Sequence, residues 1–245
     1  MKAKILHLYY DLLNLYGEYG NVLIMKKHLE DQGFEVELDK KTVGDAIDFS
    51  EYDFVYMGCG MEKNLDYVLN DLKKYAKDIN LALENKKVFL CTGNSFEMFG
   101  KSIDKKAGLC ILDYETVRLK DRVTSDVIYK SKYFETKVVG FVNKMTEMYH
   151  NMSPLFEVEF GVGENKRNDY EGVKYLNLYG THVSGPILAR NPEFLKKLVT
   201  TVGENIDSKF TYKEIDYPYE EAGYKLVLSE LEKREQEEKK VENNI

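Results

Sequence analysis

Along the first hundred residues, stretches of apolar sequence alternate with stretches that repeat their apolar positions at helical spacing. Lys4 to Tyr9 reads as a buried strand, Asn21 to Gln32 as an amphipathic helix ended by Gly33, and Phe34 to Leu38 as a second strand. Asp53 to Met57 predicts a third strand closed by Gly58-Cys59-Gly60. Leu65 to Glu84 then predicts a long helix, leading into a strand over Val88 to Leu90. This alternation predicts a parallel sheet with helices on both faces. From Gly108 to Tyr179 the helical period fades. Pieces such as Ser125 to Tyr129, Lys137 to Phe141 and Phe156 to Gly161 read as strands, partly antiparallel, that extend the same sheet. Lys174 to Tyr179 adds one more strand, and Pro192 to Val202 a helix with its proline in the first turn.

The pattern therefore predicts a three-layer α/β sandwich with a mostly parallel central sheet and an antiparallel extension. Residues 1–228 form one domain in this reading, and 229–245 a charged tail that reads as a solvated, fraying helix. At 245 residues, 43% hydrophobic and 13% aromatic, the chain is long enough to bury a sizeable core. A formal net charge of −7 argues against a nucleic-acid-tracking or anionic-membrane surface. Three cysteines (59, 91 and 110) and four histidines (7, 28, 150 and 182) show no metal spacing and no disulfide framework. No segment approaches the ~18 apolar residues of a membrane span. The expectation is a cytoplasmic protein that needs no metal and no cofactor.

Two loops carry the candidate chemistry. Val88-Phe89-Leu90-Cys91 delivers a thiol to a strand end, with Gly93 two residues on and a helix expected to follow. A thiolate attacks carbonyls, and a helix N-terminus or an imidazole lowers a thiol's pKa, so Cys91 is a candidate nucleophile; a buried structural cysteine is the competing reading. Gly58-Cys59-Gly60 ends another strand. If the two loops face each other, backbone N–H groups of Gly60 and Thr92 converge as an oxyanion hole. Among the histidines, His28 and His150 read as surface residues and His7 as a core residue. His182 lies in the small-residue loop Gly180-Thr181-His182-Val183-Ser184-Gly185-Pro186, where it or Ser184 can face Cys91.

These residues resemble a family, the class I glutamine amidotransferases, in particular the cobyric-acid-synthase-like branch. Asp11 to Asn21 resembles the opening signature of the glutaminase subunits in that branch that serve a Mur-ligase-like synthetase on cell-wall (peptidoglycan) precursor. Leu90 to Gly100 resembles the nucleophile loop C-G-G-Y-Q-x-x-G, and Gly180 to Pro192 the segment G-T-Y-x-H-G-P-x-L-x-x-N-P. The resemblance covers about residues 1 to 200. It implies a class I amidotransferase-like fold, glutamine as substrate, hydrolysis to glutamate and ammonia, and a synthetase partner that takes the ammonia. It also implies Cys91 as nucleophile, Gly60 and Thr92 as oxyanion donors, and Gly58, Asn94 and Arg122 as substrate contacts. Arg122 is similar in placement to an arginine that holds the glutamine carboxylate, with a solvated surface arginine as the competing reading. The pattern's histidine falls on Ser184, and a serine hydroxyl is no general base near neutral pH. Two readings stay open: His182 substitutes for it in a working glutaminase, or the chain is a catalytically inactive binding or regulatory protein.

Overall fold

The computed structural model describes residues 1–242, and its elements follow the alternation in the sequence. The first half runs β1 (Lys2–Leu8), α1 (Tyr19–Asp31), β2 (Glu35–Lys41), β3 (Phe54–Met57), α2 (Glu62–Leu72), α3 (Ala76–Glu84) and β4 (Val88–Thr92). A short 3-10 segment, Gly93–Phe99, follows β4. The second half runs β5 (Ser102–Ile103), β6 (Lys106–Ala107), β7 (Tyr114–Lys130), β8 (Val138–His150), β9 (Pro154–Phe160), β10 (Tyr170–Tyr175), β11 (Leu178–Thr181), β12 (Val183–Ser184), α4 (Ile187–Arg190), α5 (Pro192–Ile206) and α6 (Pro218–Glu242).

One sheet runs through the molecule in the order β12-β8-β7-β9-β10-β11-β4-β3-β1-β2. From β2 to β11 every neighbour is parallel, and from β11 outward to β12 every pair is antiparallel. Successive residues of each central strand face opposite layers. Leu6, Val55, Met57, Phe89 and Cys91 join the core beneath α2 and α3, through Leu65, Val68, Leu69, Ile79 and Leu83. Ile5, Phe54, Tyr56, Val88 and Leu90 join the opposite core under α1 and α5, through Val22, Met25, Leu29, Leu195 and Val199. The mostly parallel three-layer architecture is as the sequence predicts.

Four local differences matter. The expected helix Leu65 to Glu84 is two helices joined by a 3-10 turn, Lys73–Tyr75. The turn lets Tyr75 donate to the Asp45 carbonyl at 2.9 Å and set its ring edge-on to Phe49. The single strand expected over Lys174 to Tyr179 is the hairpin of β10 and β11, turned at Leu176 in a left-handed conformation, φ 47°. The charged tail is continuous with α6, which begins at Pro218, so the boundary expected at 228/229 falls inside a helix. Leu231 of that helix is buried on Ile128 and Val139 of the sheet; the last three positions of the expected tail lie outside the described residues. Finally, β4 continues past Leu90 through Cys91 and Thr92, which decides the geometry of the site.

Candidate functional site

Position 93, two residues beyond Cys91, is where the chain turns from β4 into the following helical segment. Gly93 has φ +59°, the left-handed conformation that a side-chain-bearing residue adopts only under strain and that a nucleophile elbow imposes on its nucleophile. Cys91 is instead a strand residue in register between Met57 of β3 and Gly180 of β11. It is fully buried in the core under α2 and α3. Burial alone holds its thiol far above the usual cysteine range, and no charged or hydrogen-bonding group offsets it. The expectation that Cys91 stands at the turn is corrected by this geometry. The sequence carries the same register: counted back from Gly100, C-G-G-Y-Q-x-x-G places its cysteine at Gly93, its tyrosine at Phe96 and its glutamine at Glu97.

A different thiol lies at the turn. A Cβ built on Gly93 would stand 2.7 Å from Sγ and 2.6 Å from Cβ of Cys59, so the Cys59 side chain fills the space that an elbow side chain would claim. The Cys59 thiol donates to the Gly60 carbonyl at 3.9 Å, and the neighbouring Asn94 backbone N–H and Ser184 hydroxyl favour its ionised form. Burial, together with Glu18 and Glu97, nevertheless pushes it up to about 12. A thiol in that environment stays protonated and is a poor nucleophile.

The expected oxyanion hole is also occupied from within. The Gly60 N–H donates to Asn94 Oδ1 at 2.9 Å, and Asn94 Nδ2 donates back to the Gly60 carbonyl at 2.7 Å. Asn94 thus spends itself on the loop and offers these groups to no substrate. Thr92 lies in the β4 ladder opposite Thr181, and its hydroxyl donates to Glu18 Oε2 at 2.6 Å. Gly58 and Gly60 serve close packing, since a Cβ at Gly58 would meet the Leu13 carbonyl at 2.5 Å and one at Gly60 the Leu13 Cδ2 at 2.5 Å.

His182 is engaged by two buried carboxylates. Its backbone N–H donates to Glu171 Oε1 at 2.6 Å, its Nδ1 lies 3.2 Å from the same oxygen, and its Nε2 is 3.6 Å from Glu97 Oε1. Burial, which alone would lower its pKa, is outweighed by Glu171 and Glu97, so the imidazole is held above its ordinary range. Phe96 sits edge-on at 5.6 Å between ring centroids. The position that the family pattern gives to histidine, Ser184, is the one that reaches the turn. Arg122 projects from a bulge in β7, where register with β8 shifts between Arg118 and Val123. Its guanidinium is already paired with Glu62, at the start of α2, and donates to Asn143 Oδ1 at 2.8 Å. The structure therefore gathers Gly58, Gly60, Asn94 and Ser184 around Cys59 and Gly93. It leaves Cys91, Thr92 and His182 within the core.

Glu18 is the residue that motif reading passed over. Its fully buried carboxylate accepts from the Tyr56 and Thr92 hydroxyls and from the Gly185 N–H at 2.7 Å. One side chain of the 11–21 motif thereby binds the ends of β3 and β4 and the Ser184-Gly185 loop together. Desolvation raises it to about 7 despite these donors. His28 and His150, expected at the surface, are also buried, against Glu220 and Glu164 respectively. Among the described residues no group of three metal-ligating side chains occurs, and no helix is long and apolar enough to cross a membrane.

A mostly parallel sheet with a glycine-rich elbow after its central strand, faced by a second strand-end loop, defines the class I glutamine amidotransferase fold. Two solved structures carry that fold: PurLQS from Thermotoga maritima (TM-score 0.57, 14% identity, 84% of this chain and 100% of that one) and a T. maritima glutamine amidotransferase (TM-score 0.52, 14% identity, 96% and 92%). The model of the CobB/CobQ-like glutamine amidotransferase domain matches residues 4–192, and the chain belongs to that family. Two curated relatives are each a lipid II isoglutaminyl synthase (glutamine-hydrolyzing) subunit GatD. That of Staphylococcus aureus is 30% identical over 220 residues, 88% of this chain and 90% of the relative. That of Streptococcus pneumoniae is 31% identical over 208 residues, 82% and 80%.

Proposed function

We propose that this chain is the amidotransferase-fold subunit of a lipid II-amidating complex with a synthetase partner, and that it does not itself hydrolyse glutamine. The partnership rests on its similarity to the two GatD subunits along most of their length. The observation that carries the loss of hydrolysis is Gly93 at the elbow, with the Cys59 side chain in the space that a nucleophile would fill. Acyl transfer needs a thiolate, a base and an open donor pair. Here the elbow carries no side chain, Ser184 stands in place of the base, and the Gly60 N–H is taken by Asn94. Hydrolysis through Cys91 and His182 would require the thiol to leave a fully buried strand position and the imidazole to leave Glu171. The retained loops then serve folding and partner recognition.

The test is glutamate release from glutamine by the purified chain, alone and with its synthetase. The expected rate is background in both, and unchanged by Cys91→Ala. Turnover that Cys91→Ala abolishes would overturn the proposal. In the quadruple variant Gly93→Cys, Asn94→Gly, Cys59→Gly, Ser184→His, the expected result is measurable hydrolysis, because these changes return a thiol and an imidazole to the elbow, free the volume between them and release the Gly60 N–H.

A further inference from the structure

The elbow segment Gly93–Phe99 is a 3-10 helix, whose i→i+3 hydrogen bonds have poorer geometry than those of an α-helix, so side chains must hold it in place. Near its start the Ser95 hydroxyl lies 2.9 Å from both the Met57 and Thr92 carbonyls. Further on, the Phe96 carbonyl accepts from the Tyr114 hydroxyl, and the buried Glu97 reaches across to the antiparallel extension. Its Oε1 accepts from the Thr146 hydroxyl of β8 at 2.6 Å and lies 3.6 Å from His182 Nε2, a ring nitrogen with no hydrogen-bond partner. On the other side of the ring, Nδ1 lies 3.2 Å from Oε1 of the buried Glu171 in β10, whose second oxygen accepts from the Thr181 hydroxyl at 2.6 Å.

An ionised carboxylate only accepts, and a neutral imidazole carries a single N–H. Between two carboxylates a neutral ring would set its lone pair against one of them, whereas an imidazolium presents an N–H to each. The geometry therefore calls for a protonated ring, in agreement with the raised proton affinity of His182. The other polar groups around it are committed elsewhere. Lys144 of β8 opposes the ring's charge but gives its ammonium to the carbonyls of Gly163 (2.6 Å) and Glu164 (2.7 Å), the Glu164 carboxylate is paired with His150 at 2.8 Å, and burial keeps the Tyr114 phenol of β7 protonated. The sequence departs from the family pattern at both ends of the contact, with Glu97 in place of glutamine and His182 in place of tyrosine, so an ionic pair stands where the pattern has a neutral one.

We infer that Glu97, His182 and Glu171 form a charge latch that fastens the elbow segment to the antiparallel extension and lets go when the imidazolium loses its proton. The proton that remains serves Glu171, and Glu97 then faces a lone pair with only Thr146 left to hold it. The latch is fully engaged below the ring's ordinary value of 6.5 and is lost as pH rises through the raised folded value. It stands whether or not the elbow is active.

The test is amide hydrogen exchange of the full chain, read over residues 94–99 at pH 6 and pH 8.5 as protection factors, which remove the intrinsic pH dependence of exchange. The wild-type segment is expected to lose protection tenfold or more between the two. The Glu97→Gln, His182→Tyr variant, which returns a neutral pair, is expected to lose several-fold less. Glu18 titrates in the same range but is common to both proteins, so the difference belongs to the latch. At pH 6 either single substitution lowers protection tenfold or more, and the double variant recovers part of it. Equal pH dependence in the wild-type and double-variant chains overturns the inference. Should the variants fail to fold, the ring nitrogens of His182 in the unaltered chain decide by NMR: both protonated at pH 6.5 is the expected result, and a neutral ring at that pH overturns the latch.

Discussion

Glu18 and His7 are buried ionisable groups whose protonation leaves opposite marks on stability. Burial raises the Glu18 carboxyl from 4.5 to about 7, so the folded state binds its proton more tightly than the unfolded chain does. Its contribution is full below about pH 4.5 and is lost as pH rises through about 7, a change of about 3 kcal/mol. Glu18→Gln is expected to flatten the stability profile between pH 5 and 8, as read by denaturant midpoints across that range; an unchanged slope would contradict it. His7 shows the reverse. Both ring nitrogens are buried without a hydrogen-bond partner, the ring stacks on Tyr19 at 5.5 Å, and burial with the nearby Lys40 lowers it to about 4. Its contribution is present above its unfolded value of 6.5 and is lost as pH falls toward 4. His7→Phe keeps the stack, removes two orphaned polar atoms and is expected to raise stability at pH 5, by about 1 kcal/mol or more. A lower thermal midpoint for that variant at pH 5 would count against this account of His7.

At the scale of the element, the turn after β4 ties Cys59 to Gly93. A side chain at 93 meets the Cys59 Sγ at 2.7 Å, so Gly93→Ala is expected to destabilise by about 2 kcal/mol or more, from contact and backbone strain together. Cys59→Gly should recover about 1 kcal/mol of that in a double-mutant cycle; strict additivity would show that the two positions do not share the space. The strands and helices of the first half were legible because a parallel sheet between two helical layers leaves continuous apolar runs and a strong 3.6 period. The strand's end was not legible. Val88-Phe89-Leu90-Cys91-Thr92 is apolar or β-compatible throughout, and a cysteine two residues before a glycine draws the turn toward itself. Only the fixed distance to Gly100 places the turn at 93. Cys59 and Glu18 were hidden for a related reason, since each acts across strands that are far apart in sequence.

For the molecule as a whole, the family match ends at residue 192, while α6, far beyond it, packs Leu231 onto Ile128 and Val139 of the antiparallel extension. Leu231→Ala is expected to lower stability by about 2 to 3 kcal/mol without altering the elbow, measurable as a shift in denaturant midpoint. The sheet, the two cores and the clasp of Glu18 on two strand ends and the Ser184-Gly185 loop surround an elbow where position 93 carries no side chain, and the proposed loss of hydrolysis rests on that one position within an otherwise retained architecture. Resemblance made the fold readable, and the proposed function turns on the two departures at 93 and 184. The most direct test is intact-mass analysis after incubation with a glutamine-derived diazoketone, which alkylates a thiol only where the glutamine site delivers it. The account predicts no adduct on the wild-type chain with its partner bound and one adduct on the Gly93→Cys, Asn94→Gly, Cys59→Gly, Ser184→His variant. A stoichiometric adduct mapped to Cys91 of the wild-type chain would contradict it.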